Sequence, residues 1–338
     1  VAEFTRPHVS YSELMKFARD CQHRWKIEDL EGNRRKIFSI HMDFGTAMHG
    51  AIERHRTRKR PVDLEKSKKI FLKYFGLLFL KNHKQYSERD LNFDPKKFSG
   101  PKDFFVVAGL NILTRLHECQ ELADAEVIYN EYPLFDLIDR TDGIQIKFKG
   151  FIDFVIKTKD KRGKSIIYIC DFKTCSFGWT REKREDRFLQ FQIFLYKYFF
   201  CKKFDIDPKQ VRTAFVLLKK RPPPKVTPVE FFPVSAGPIS VQRAIDFLNK
   251  TISEMVETTR NESWEKNRNG CVSEYGDICA HYNTDACPGK NDQVERKILE
   301  LSEKRGKMGS KATKGNDGPR DIHKTTAELR AKLLQKKG

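Results

Sequence analysis

The chain has 338 residues, 39% of them hydrophobic, enough for a packed core in one large domain or two smaller ones. Lysine and arginine outnumber aspartate and glutamate by 65 to 46, a formal net charge of +19 that points to a polyanionic partner, most simply nucleic acid. No run of about 18 apolar residues occurs, which argues against a membrane-spanning helix and against a membrane partner. The opening V-A-E-F-T-R-P has no apolar signal core, and eight cysteines in a chain this long do not read as a secreted disulfide framework. The expected compartment is therefore reducing and cytosol-like.

In chain order, Ser10-Tyr11-Ser12-Glu13 reads as a capping box that opens a helix through about Trp25, with Tyr11, Leu14, Phe17 and Ala18 on its apolar face. Cys21 continues that stripe. Residues 41–55, H-M-D-F-G-T-A-M-H-G-A-I-E-R-H, predict a second helix with Gly45 near its start. His49 and Glu53, four apart, share a face there, Glu53 as a partner on the helix surface. A helical insert over about 60–122 follows, with amphipathic segments at 65–83 and 103–122 around a polar loop. It reads as a lobe over a nucleic-acid channel. V-I-Y-N-E-Y-P-L-F, within residues 125–137, predicts a strand with one acid, Glu131, in its middle.

The stretch from Lys149 to Tyr196 carries the densest signal. K-G-F-I-D-F-V-I-K alternates like a half-buried strand, and S-I-I-Y-I-C-D-F-K-T is a mostly apolar one. The charged turn T-K-D-K-R-G-K between them makes a hairpin the natural reading. With the turn centred near Lys161 and Arg162, Asp153 falls opposite Cys170 or Asp171, their Cβ atoms roughly 5–8 Å apart. Asp171 and Lys173 share a face, and Cys170 faces away. Charges converging at the end of an apolar hairpin are costly to bury without a counter-ion, and a divalent metal is the usual solution. The link 174–187 bears Trp179 with Arg181, Lys183, Arg184 and Arg187, a composition suited to gripping phosphates and stacking a base. The helix from Asp186 to Phe200 is apolar nearly all round, so Gln192 and Tyr196, one turn apart, need partners. Strands at 211–219 and 226–234 and a helix over 240–261 complete this part.

Cys271, Cys279 and Cys287 then follow on turn-rich backbone, with seven residues between successive members. Three thiolates make an incomplete tetrahedral set, and Cys21 is the candidate fourth. Four cysteines suit a [4Fe–4S] cluster. Structural zinc, with His281 or His23 available, is the alternative. Residues 302–321 hold almost no apolar side chain and read as a flexible basic tail, with a short helix near Thr325 to Gln335. No phosphate-binding G-x-x-x-x-G-K-[ST] motif is present, so any unwinding engine is a separate chain. A helicase, recombinase or replication protein could dock on the tail.

G-x-x-x-H, the mid-strand acid, G-x-I-D, D-F-K and Q-x-x-x-Y, in this order from Ser10 to Pro288, resemble the PD-(D/E)xK nuclease superfamily, specifically its RecB-like branch. One early and three late cysteines are similar to the iron–sulphur members of that branch, among them AddB and the CRISPR-adaptation nucleases, although the seven-residue gaps depart from the usual spacing. The resemblance implies an α/β restriction-endonuclease-like core: a mixed sheet flanked by helices, with a helical insert and cysteine-stapled N- and C-terminal segments. It implies a nuclease domain over 1–290, with its catalytic core at about 125–235 and cysteine segment at 262–290, and a tail over 291–338. It implies catalytic roles for Asp153, Asp171, Lys173, Gln192 and Tyr196. His49, Asp153, Asp171, the Phe172 carbonyl and Glu131 would hold Mg²⁺ or Mn²⁺, and Cys21, Cys271, Cys279 and Cys287 the cluster. The expected activity is metal-dependent DNA cleavage, most simply exonucleolytic, on single-stranded DNA or single-stranded ends, in recombination, repair, replication or phage DNA processing, and the resemblance implies the cytoplasm of a bacterium or of a phage-infected host. A catalytically inactive nucleic-acid-binding or assembly protein on the same fold is the competing class.

Overall fold

The computed structural model describes residues 4–53, 63–87, 93–123, 125–160, 162–273 and 278–301. Lys161 of the hairpin turn, most of the basic tail and the expected helix near Thr325 lie outside the described residues. The chain divides into two compact units, residues 1–266 and 267–338.

The first unit is built on a mixed sheet of β1 (His8–Ser10), β2 (Glu126–Leu137), β3 (Lys147–Lys159), β4 (Ser165–Cys175), β5 (Val211–Lys219) and β6 (Val229–Val234). β2 pairs antiparallel with β3 along nearly its whole length. β1 and β4 must therefore share the other edge of β3, β1 parallel at Lys147–Lys149 and β4 antiparallel from Phe154 to Lys159. β5 lies parallel to β4, which requires a crossover, and two helices supply it, the short α7 (Arg181–Glu185) and α8 (Arg187–Phe204), while α6 (Gln120–Ala123) precedes β2. β6 closes the sheet antiparallel to β5.

Alternation along β5 shows how the layers form. Phe215 and Leu217 pack into one core with Phe194 and Phe199 of α8 and with Leu248 and Ile252 of α9 (Pro238–Arg260). Ala214, Val216 and Leu218 pack into the other, with Phe44 and Met48 of α3 (Ile40–Glu53), Phe71 and Phe75 of α4 (Leu64–Asn82) and Phe105 of α5 (Pro101–Glu118). A strand buried on both faces explains the near-continuous apolar run V-R-T-A-F-V-L-L-K. The aromatics of α4 and α5 share the core beneath the sheet, so the helical insert is part of the second layer rather than a lobe apart from it.

The Ser10 capping box forms: Ser10 Oγ accepts from Glu13 N at 3.3 Å and Glu13 Oε2 from Ser10 N at 2.9 Å. The helix it opens is not continuous to Trp25. α1 (Tyr11–Met15) runs through a wider turn to Asp20, the backbone becomes extended at Cys21 (φ −167°, ψ 121°), and α2 (Gln22–Trp25) restarts beyond it. Buried charges hold this segment together. Lys16 pairs with Glu28 at 2.6 Å and with Asp29, Arg24 pairs with Glu28 at 2.9 Å, and Arg6 pairs with Glu13.

In the second unit, Arg268–Cys271 form a short turn of helix, and bridges join Val272 to Ile278 and Thr284 to Cys287. A helix over 292–301 puts Val294 against Cys271 and Val272. Among the described residues, no helix is long and apolar enough to cross a membrane.

One close approach tests the second layer. A Cβ on Gly109 of α5 would lie 2.1 Å from Cζ of the fully buried Phe71. Alanine gains up to about 1 kcal/mol of helix propensity, but overpacking a core costs about 1–3 kcal/mol, and Phe71 is wedged against Phe44 and Phe75. Gly109→Ala should therefore lower the unfolding free energy by about 1–2 kcal/mol, read from the urea midpoint.

Candidate active site

The hairpin of β3 and β4 turns at Asp160, whose Oδ1 accepts the Arg162 and Lys164 N–H groups, with Gly163 at φ +76°. Pairing runs from Lys159↔Ser165 to Phe154↔Cys170 and then stops. The next position sets Asp153 opposite Asp171, the second of the two registers the turn allows. There the strands part, and Asp153 Oδ2 accepts the Phe172 N–H at 2.7 Å. Cys170 faces the other way, buried in the core beneath α3.

Asp171 is 3% exposed. Lys173 Nζ stands 2.8 Å from Asp171 Oδ2, although that oxygen accepts no hydrogen bond of good geometry. Lys173 also donates to Gln192 Oε1 at 3.0 Å, and Gln192 Nε2 donates to Tyr196 Oη at 3.0 Å. The two polar residues of the apolar helix α8 are thus satisfied by one another and by the lysine. Asp186 caps that helix through the Phe188 N–H, and Phe199 stacks on Phe148 of β3, so packing fixes the azimuth that aims Gln192 at Lys173. Gly150 of G-F-I-D has its own reason: a Cβ there would lie 2.7 Å from Tyr196 Cε1.

α3 brings the remaining groups. His49 Nδ1 lies 3.5 Å from Asp153 Oδ1 and 3.4 Å from Glu53 Oε1. One donor atom from each of His49, Glu53 and Asp153 falls within 4.8 Å of the others. Donors about 2.1 Å from a shared ion lie up to about 4.2 Å apart, so a small contraction suffices for a divalent cation. Oxygen donors with one imidazole suit Mg²⁺ or Mn²⁺. Glu131 adjoins the group through Glu53. Its φ of +47° lies in the left-handed region, unusual for a non-glycine residue. Its neighbour Asn130 donates to the Glu53 carbonyl at 2.8 Å, so two successive residues of β2 meet the end of α3. β3 is irregular at the same level: Ile152 packs towards α8 and Phe154 towards α3.

The electrostatics are those of carboxylates crowded without enough cation. Burial, with the charge of Asp153 adding to it, raises the proton affinity of Asp171 against the pull of Lys173. The Glu53 charge raises that of Glu131, and burial adds to it. Burial opposes the charge on His49, but hydrogen bonds to Asp153 and Glu53 and their charges raise its pKa to about 10. A divalent cation would relieve all three.

The structure brings His49, Glu131, Asp153, Asp171 and Lys173 into one neighbourhood, with Gln192 and Tyr196 behind the lysine. Glu53, read from the sequence as a helix-surface partner, stands inside the group. Its spacing of four from His49 was the available signal, since both side chains leave the helix on one face. Trp179 does not take the expected role: it is 8% exposed and packs on Phe215, with ring centroids 4.9 Å apart. The exposed aromatic of that link is Phe177, at 63%. Arg184 is held by Glu230 at 2.7 Å.

His49 gives a pH signature in metal-free protein. Its proton is held more tightly folded than unfolded, so the stability it contributes is complete below about pH 6.5. That stability is lost as the pH rises through about 10. Urea midpoints measured across that range should fall in the wild type and fall less steeply in His49→Ala.

No curated protein matches the chain in sequence. A crystal structure from Eubacterium rectale, of a protein provisionally named an exonuclease, is similar with a TM-score of 0.48 and 12% identity, over 95% of this chain and 93% of that one. The family model of the PD-(D/E)XK nuclease superfamily matches residues 8–288, a span that contains the whole cluster from His49 to Tyr196. The chain belongs to the PD-(D/E)XK nuclease superfamily.

Proposed function

We propose that the chain is a Mg²⁺- or Mn²⁺-dependent deoxyribonuclease, acting as an exonuclease on DNA with single-stranded character in recombination, repair, replication or phage DNA processing. The observation that carries this reading is the meeting of Asp153, Asp171 and Lys173 where β3 and β4 part, with His49 and Glu53 facing them from α3. Asp153 and Asp171, with His49, Glu53, Glu131 and the Phe172 carbonyl, would hold the cation. When bound, it would lower the pKa of a water and offset charge on the scissile phosphate. Lys173 would position the attacking water or donate to charge developing on the phosphate. Gln192 and Tyr196 hold the ammonium in place, since the Gln192 carbonyl oxygen accepts from it while the amide is anchored on Tyr196. End-labelled single- and double-stranded DNA, with each metal in turn, tests the activity. Asp171→Ala and Lys173→Ala should each reduce cleavage more than about 100-fold while DNA binding is largely kept. Lost binding with unchanged turnover would overturn the assignment.

The same reading gives Cys21, Cys271, Cys279 and Cys287 a structural [4Fe–4S] cluster, with zinc as the alternative cation. What supports it within the second unit is the backbone. The Cys279 N–H donates to the Cys271 carbonyl at 2.8 Å and the Cys287 N–H to the Thr284 carbonyl at 2.9 Å, which places the three cysteines on linked turns. In the first unit, Cys21 sits at the extended break between α1 and α2, its Sγ 3.7 Å from the Glu265 carbonyl. Protein purified without oxygen should be brown and absorb towards the blue, and Cys271→Ser should bleach it. A colourless protein with stoichiometric zinc would replace the cluster by zinc.

A further inference from the structure

On the first half of β3 residues alternate strictly between buried and exposed, and on the facing part of β2 exposed positions alternate with buried or half-buried ones. Leu134, Phe148, Gly150 and Ile152 are buried towards α8, and the positions between them point outward. The outward face mixes large apolar side chains with lysines. Phe135 and Phe151 are each 47% exposed and Leu137 is 45% exposed. Phe135 is in register with Lys149 and Phe151 with Pro133, so the two rings are diagonal neighbours on one face, within reach of each other's ligands. Lys147 and Lys149 share this face, and Lys147 Nζ rests 4.7 Å from the Phe135 ring centroid. His8, paired with Lys147 through β1, packs its ring edge-on to Phe135 at 5.7 Å. Outward positions 133–137 of β2 and 147–151 of β3 hold no acid. The acids begin at the next step: Phe151 is two residues before Asp153, about 7 Å along the strand, and Pro133 is two residues after Glu131.

We propose that this open face of β2 and β3 is a track for single-stranded DNA leading to the catalytic acids, with bases stacked on Phe135 and Phe151 and phosphates held by Lys147 and Lys149. The inference rests on the nuclease reading for its direction and supplies the surface on which the single-stranded substrate of that reading would lie. Two observations set the occupant. Exposed aromatics interleaved with lysines and free of acids match an alternation of apolar bases and anionic phosphates, whereas a second copy of this chain, at +19, would bring like charge. The face also runs without interruption into the acidic cluster, so a strand lying on it would enter that cluster. A duplex keeps its bases paired and stacked inside and cannot offer them to two rings. An exposed lysine–ring contact is weaker than base stacking, so a base displaces Lys147 from Phe135 and frees its ammonium for a phosphate.

The test is the affinity of labelled dT12 and of a blunt 12-base-pair duplex, followed by anisotropy in EDTA so that nothing is cut. Phe135→Ala/Phe151→Ala should weaken dT12 binding about 25-fold or more, with a much smaller effect on the duplex. Phe135→Trp/Phe151→Trp should retain tight dT12 binding. A double-alanine protein that binds dT12 within twofold of wild type overturns the track. So does an equal loss on the duplex, or a loss of self-association instead of DNA affinity, which would assign the face to a second copy. Cleavage with Mg²⁺ or Mn²⁺ is scored separately. A wild type that binds with this signature and cuts nothing keeps the track and ends the nuclease reading. One that cuts while the double-alanine protein binds normally does the reverse.

Discussion

Two carboxylates placed side by side with too little cation to balance them govern this site. Asp153 and Asp171 occupy the first unpaired rung where β3 and β4 separate, and Asp171 is buried. Burying ionised acids close together is unfavourable unless hydrogen bonds and opposite charges compensate. The compensation is only partial. Asp153 takes the Phe172 N–H and faces His49, while Asp171 has Lys173. Burial raises the proton affinity of Asp171 with the Asp153 charge adding to it, the carboxylates of Asp153 and Glu53 raise the pKa of His49 against its burial, and both groups therefore sit beside negative charge short of a cation. A divalent cation fits that shortage, and its chemistry is what phosphodiester hydrolysis needs.

The rest of the first unit serves to hold that arrangement against its own repulsion. The crossover through α8 is imposed by the parallel pairing of β4 with β5, and it sets Gln192 and Tyr196 behind Lys173. The absence of a side chain at Gly150 lets Tyr196 lie against β3. On the other side, α3 is seated by Phe44 and Met48 in the second core, which carries His49 and Glu53 to the parting strands. The two helical layers therefore do different work: one aims the lysine, the other completes the ligand set.

The backbone bends where the site demands it. Regular strands would send Asn130 and Glu131 to opposite faces, yet both meet the end of α3, at the cost of a left-handed backbone at Glu131. β3 changes which residues face α8 at Asp153 itself. Over residues 133–137 of β2 and 147–151 of β3 the pairing is regular, and the outward face left open there continues the site with aromatics and lysines.

Much of this was written in the sequence. The hairpin, the shared face of Asp171 and Lys173, the opposite face of Cys170, and the isolation of Gln192 and Tyr196 in an apolar helix all follow from periods of two and 3.6 and from turn chemistry. The order of short motifs was sufficient to point to the superfamily that the match over residues 8–288 then established. Local periodicity could not decide contacts between elements distant in the chain. Whether Glu53 faced solvent or Asp153 depended on where α3 packs. Trp179 looked like an exposed aromatic on a basic link and is core, because β5 and β6 bring Phe215 and Phe232 beneath it. The break at Cys21 and the left-handed turn at Glu131 follow no local preference of those residues. They are imposed by tertiary packing, because only the assembled sheet and its two helical layers fix where the backbone must yield.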